Sequence, residues 1–173
     1  MPSLFRMIDR FSIKLSRVAD AVTLILVAAM IYEVAARYLF GAPTIWAFDI
    51  SYMCTGTLFI LGAANALRED AHVRIDFLAA KMPARLRHMI EGLAFSLLLT
   101  PIFTMLSWFA VTRAWRAYTT AEVEMVSPWA PLMWPFYALL ALGLVALTLQ
   151  IAIQGLRALM GHAASDTDFD LET

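Results

Sequence analysis

The sequence predicts an all-α integral membrane protein with four transmembrane helices, and three observations lead there. Of its 173 residues 61% are hydrophobic and only 16% charged, where soluble domains are about 45–50% apolar. The apolar residues gather into four runs, each near the ~20 residues that cross ~30 Å of hydrocarbon as a helix. The basic residues fall unequally on the two sides of those runs. Backbone polar groups in lipid must be satisfied within their own segment, so isolated runs cross as helices and not as strands.

The chain opens with an amphipathic lead, residues 1–18. Leu4, Phe5, Ile8, Phe11, Leu15 and Val18 recur every three or four positions, with Arg6, Arg10, Lys14 and Arg17 elsewhere on the wheel. That pattern suits a helix lying in the headgroup layer; the alternative is a solvated lead whose charges only orient the first span. A four-helix domain follows over 19–158. Its first span covers about Ala19–Phe40 and is expected to be retained, since no small-residue cleavage site follows it. The second covers about Phe48–Leu67, the third about Met89–Trp115 with Pro101 as a candidate kink, and the fourth lies within Met125–Leu156. Between the second and third spans, Ile75, Leu78 and Met82 form one apolar stripe of a short interfacial helix. The end of the chain, 159–173, carries Asp166, Asp168, Asp170 and Glu172 and reads as a disordered acidic tail.

Charge gives the orientation. Arg6, Arg10, Lys14, Arg17, Arg68, Arg74, Lys81, Arg85, Arg87 and Arg157 fall on one side, and Arg113 and Arg116 on the other, with Arg37 at the edge of its helix. By the positive-inside rule both termini and the middle loop are cytoplasmic. Trp46, Trp115, Trp129 and Trp134, with Tyr38, Tyr118 and Tyr137, collect on the opposite side as an interfacial belt.

Several chemistries are disfavoured. His72, His88 and His162 sit at or beyond helix ends, where axial haem ligation within the bundle is out of reach, and this weakens a reading as the membrane anchor of an electron-transfer complex. No His/Cys cluster marks a metal site, no Gly-rich loop marks an ATPase, and Cys54 stands alone. No cofactor and no nucleic-acid partner is expected.

The polar groups near the first turn are the candidates for function. Glu33 and Arg37 are four apart and stack on one helix face, and Asp49 begins the next apolar run at about the depth of Arg37. Charges this close to lipid are costly and need a reason. Glu33 as the coupling carboxylate of a self-sufficient small transporter is one reading, and headgroup anchoring another. A structural clamp is favoured, because a carboxylate paired to arginine stays ionised and shuttles protons poorly. On the second helix Ser51, Thr55, Gly62 and Ala66 share roughly one face, which reads as a packing seam in preference to a substrate path lined by hydroxyls. Gln150 and Gln154 either bond another helix or point to headgroups.

Arg37-Tyr38-Leu39-Phe40 followed by Trp46 and Asp49 resembles the first hairpin of the small membrane subunit of TRAP (tripartite ATP-independent periplasmic) transporters. So do Leu61-Gly62-Ala63-Ala64 with Arg68, His72-Val73-Arg74-Ile75-Asp76, the Pro83…Arg87 spacing and Trp134-Pro135. The likeness covers about residues 15–158. One departure is that the family often has Glu near the Trp of the turn, where this chain has Ala47, Phe48 and Asp49. The resemblance implies a non-catalytic, multi-pass subunit of a bacterial inner membrane. It would pack beside a large transport subunit among membrane phospholipids and help dock a periplasmic binding protein, in a sodium-coupled system for a carboxylate-bearing solute. It further implies docking through Thr44, Trp46, Arg116, Glu122, Glu124 and Trp129, with His72 and Asp76 pinning the inner loop helix.

Overall fold

The computed structural model describes residues 2–68, 89–90 and 92–159. They form α1 (Pro2–Leu39), α2 (Ala47–Arg68), α3 (Thr100–Thr119) and α4 (Trp134–Leu159), with a π-helical segment, Ala94–Leu99, running directly into α3. Four stretches are long and apolar enough to cross a membrane: Met7–Leu39, Ala47–Leu67, Ala94–Thr119 and Trp134–Leu159. Among the described residues the protein is thus all-α with four helices able to span a membrane, as its sequence predicts. The expected loop helix with His72 and Asp76, and the acidic tail beyond Leu159, lie outside the described residues.

The residues of the lead and of the first span share one helix. α1 is one unbroken helix of 38 residues, about 57 Å long. No Gly or Pro occurs from Ser3 to Phe40 to interrupt it. Ser12 and Leu15 of the lead and Ala19 just after it are buried. Leu15 and Ala19 join Leu61, Ala64 and Leu67 of α2 and Ala146, Leu147 and Ile151 of α4 in one core. Of the apolar stripe, Phe11 and Leu15 pack against other helices while Val18 stays exposed.

α4 is the hub: it packs on α1, α2 and α3, and α1 and α2 form a hairpin beside it. The buried positions of α4 recur at three- and four-residue spacing, Gly143, Ala146, Leu147, Gln150 and Ile151 among them. A Cβ on Gly143 would stand 2.8 Å from Ile60 Cγ2 and 3.1 Å from the Ile60 carbonyl carbon, so the α2–α4 crossing requires glycine there. The seam expected on α2 is placed differently. Around Gly62 there is nothing within 4 Å of a Cβ position, Thr55 is exposed and Ala66 half-buried. Ser51 bonds to the Ala47 carbonyl at 2.6 Å and meets Met30 of α1.

Pro101 is the second residue of α3. It can donate no N–H, and its ring crowds the carbonyl four residues back. The π-helical segment absorbs this: the Thr100 amide and hydroxyl both bond to the Phe95 carbonyl, five residues earlier. Some polar side chains of the spans turn inward. Ser107 of α3 and Thr148 of α4 share a hydrogen bond of 2.8 Å. At the end carrying the N-terminus of α1, Gln150 donates to Asp9 (3.2 Å), Arg157 donates to Asp9 (2.9 Å), and Gln154 donates to the Leu67 carbonyl (2.9 Å). Both glutamines therefore bond neighbouring helices.

Candidate functional site

The other end of the bundle, where the tryptophans gather, is built from two connections, 40–46 and 120–133. α1 stops at Gly41, whose φ of +61° an L side chain rarely adopts, and the Ala42 amide bonds back to the Ala36 carbonyl. The chain then returns across Glu33. That carboxylate is buried; one oxygen accepts from Arg37 Nε at 2.9 Å and from Arg37 Nη2, and the other accepts from the Thr44 amide at 2.9 Å and from the Thr44 hydroxyl. Trp46 stacks on Tyr32 with ring centroids 5.7 Å apart. Glu33 thus fastens the turn to α1, and Arg37, 55% exposed, balances its charge.

α3 ends in a Schellman-type cap. Ala121 takes the left-handed position at φ +47°, Glu122 N–H bonds to the Ala117 carbonyl and Ala121 N–H to that of Tyr118. The following residues fold as a small hairpin through the bridge Val123–Leu132 and the amide bonds Glu124 to Pro131 and Met133 to Glu122. Arg113 holds Glu122 in a bidentate pair and lies over the Tyr137 ring, 4.5 Å from its centroid. That guanidinium keeps the Glu122 carboxyl below the usual carboxylate range.

This hairpin is strapped to α2. Ser127 donates its hydroxyl to Asp49, which is 1% exposed, and Tyr52 donates to Glu124 at 3.1 Å. Asp49 is the third residue of α2, where a carboxylate meets the positive end of the helix dipole.

The three residues of the expected clamp therefore divide. Glu33 and Arg37 pair with each other and with Thr44, while Asp49 bonds to the far hairpin. Of the expected docking residues, Thr44 and Glu122 are held by internal partners, Glu124 bonds Tyr52, Trp46 stacks, and Arg116 and Trp129 are exposed. The sequence reading missed Ser127 and Tyr52, whose partners lie 78 and 72 positions away. It also missed Asp9, although Asp9, Ser12 and Ala19 fall at helical spacing on the face that becomes buried.

The sequence matches the family model for tripartite ATP-independent periplasmic transporters, DctQ component, over residues 26–161. It is 31% identical over 171 aligned positions to the C4-dicarboxylate TRAP transporter small permease protein DctQ of Vibrio cholerae serotype O1, a match covering 81% of this chain and 71% of that relative. It is 23% identical over 77 positions to the sialic acid TRAP transporter small permease protein SiaQ of the same organism, covering 42% of this chain and 44% of that relative. The chain belongs to the DctQ-component family, the small permease proteins of tripartite ATP-independent periplasmic transporters.

Proposed function

We propose that this chain is the non-catalytic small subunit of a sodium-coupled, binding-protein-dependent secondary transporter in a bacterial inner membrane. It packs beside the large transport subunit as scaffold and helps dock the periplasmic binding protein. In this reading both termini are cytoplasmic and the tryptophan-rich end faces the periplasm, in line with the unequal distribution of Lys and Arg. The solute is a small carboxylate-bearing compound; the relatives' names, C4-dicarboxylate and sialic acid, support that class.

One observation carries the scaffold role. The charged and amide side chains Glu33 and Gln150 inside the described spans are held by internal partners, Glu33 by Arg37 and Thr44 and Gln150 by Asp9, and Ser107 is held by Thr148. Large apolar side chains such as Leu24, Ile31, Leu97, Met105 and Trp108 point away from the bundle. Such an arrangement favours packing against lipid and a protein neighbour over a solute path through these four helices.

The test is reconstitution. Liposomes containing the large subunit with this chain, supplied with the binding protein, should take up solute on a sodium gradient, and omission of this chain should abolish or strongly reduce uptake. Sodium-driven uptake by this chain alone, or full uptake by the large subunit without it, would overturn the proposal.

A further inference from the structure

The recess between the start of α2 and the 124–128 segment has a feature that the internal bonding leaves unanswered. A cavity of about 270 Å³ opens there, its floor formed by Asp49, Tyr52, Glu124 and Ser127 and its walls by Phe48 and Val126. Both carboxylates accept from neutral donors: Asp49 from the Ser127 hydroxyl, Glu124 from the Tyr52 hydroxyl and the Val126 amide. The arginines of this end that form ion pairs hold other carboxylates, Arg37 on Glu33 and Arg113 on Glu122. Among the described residues no cation pairs with either floor carboxylate.

The rim is apolar and outward. Phe48 is 78% exposed, Met125 94% and Val126 91%. Met125 and Val126 stand in the 120–133 connection, outside the membrane-spanning stretches. Two large apolar side chains so fully exposed on a connection call for a cover. The hairpin holding them is fixed by the Val123–Leu132 bridge and by the straps to Asp49 and Tyr52, so the surface is preformed.

We infer that this recess is a docking site for a protein segment presenting a basic side chain beside apolar ones. Resting on the function proposed above, the segment belongs to the periplasmic binding protein. The basic group would enter between Asp49 and Glu124, where a charge-assisted hydrogen bond can form beside the buried Asp49, and its apolar neighbours would cover Met125 and Val126. The same two carboxylates repel phosphate, which disfavours an anionic phospholipid as the occupant.

The experiment uses the complex of this chain with its large subunit in phosphatidylcholine nanodiscs. The probe is the solute-binding protein that co-purifies with the complex, and its affinity is measured at low and high salt. The double variant Met125→Ser, Val126→Ser alters only exposed side chains and should weaken binding about tenfold. Glu124→Gln should weaken it several-fold and flatten the salt dependence, and Glu124→Lys should abolish it. Complex yield and melting temperature of each variant separate lost docking from lost folding. Wild-type affinity in the double variant and in Glu124→Gln would overturn the recess while leaving docking elsewhere on this end intact. Binding to the wild-type complex no tighter than to the large subunit alone would overturn both. Variant effects that appear only when phosphatidylethanolamine is present would replace the protein occupant with an amine headgroup and overturn the inference.

Discussion

The two ends of the bundle are held by different kinds of contact. At the tryptophan-rich end, carboxylates tie connections to helices: Glu33 to Thr44 across 11 positions, Glu122 to Arg113 across 9, and Asp49 to Ser127 across 78. At the other end Asp9 ties one helix to another, reaching Gln150 and Arg157 across 141 and 148 positions. Contacts of the first kind shape a surface, while those of the second hold the helices together. Damage should therefore be local at the first end and global at the second.

The largest expected effect comes from the helix-to-helix tie. Asp9→Ala removes the acceptor for both Arg157 and Gln150 and should cost about 3 kcal/mol, the low end for breaking a buried pair because both charged side chains keep about a quarter of their exposure. A fall in the melting temperature of the whole bundle in detergent would show it. The double replacement Asp9→Leu, Arg157→Met should recover much of the loss, since apolar groups of similar volume often match a buried pair. An unchanged melting temperature in Asp9→Ala would erase the contrast between the two ends.

Next is Glu33→Ala. Arg37 is more than half exposed, so the ion-pair part of the loss is screened. The loss of the charged acceptor for Thr44 should cost about 1.5–3 kcal/mol. The expected readout is faster amide exchange at Thr44 and in 40–46, with a much smaller shift in global melting than Asp9→Ala produces. Equal global destabilisation by the two variants would mean that the turn is part of the bundle's cooperative unit.

A smaller effect should follow pH. The Arg113 pair lowers the Glu122 carboxyl below its unfolded value of about 4.3. Its contribution to the hairpin is present above that unfolded value and lost as pH falls through the lower, folded one. Amide exchange in 120–133 should be flat with pH near neutrality, once corrected for intrinsic rates. Protection should fall in acid below the unfolded value, and Arg113→Gln should remove the dependence. Glu122 is about a third exposed, so salt should weaken the effect.

The smallest expected effect is a gain. Ala121 occupies a left-handed position that suits glycine. Ala121→Gly should relieve about 1 kcal/mol of local strain, slowing exchange at the cap amides of 121 and 122 without altering the packing of α3 on α4. A loss of protection there would show that the hairpin, and not the cap, sets the conformation of this residue.

How much of this was legible in the sequence can be judged from particular residues. The four spans were readable because a run such as Phe48–Leu67 is local and lipid admits few alternatives to a helix. The Glu33–Arg37 pair was readable because four-residue spacing puts two side chains together whatever else the chain does. Asp49 was not: depth alone placed it beside Arg37, whereas the hairpin from the 120–133 connection brings Ser127 to it. The stripe Ser51, Thr55, Gly62 and Ala66 on α2 is a related case. Small residues such as Gly62 permit close approach, but the facing helix decides where it occurs, and Gly143 opposite Ile60 carries it. The periodicity of the lead marks an apolar face without naming what meets it, and α1 brings Ser12 to Gln150 of α4 and Leu15 into the shared core.

By itself, then, the sequence determined the all-α membrane class, the four spans, the unequal charge on their two sides and the local pair Glu33–Arg37, because each depends on residues close along the chain or on the bilayer as solvent. Only the tertiary structure decided which helices meet at Gly143, which partner Asp49 finds, and that the 120–133 hairpin closes over the start of α2 with Met125 and Val126 turned outward. Those depend on contacts between residues tens of positions apart, and a helical spacing rule carries no information about what stands on the facing helix.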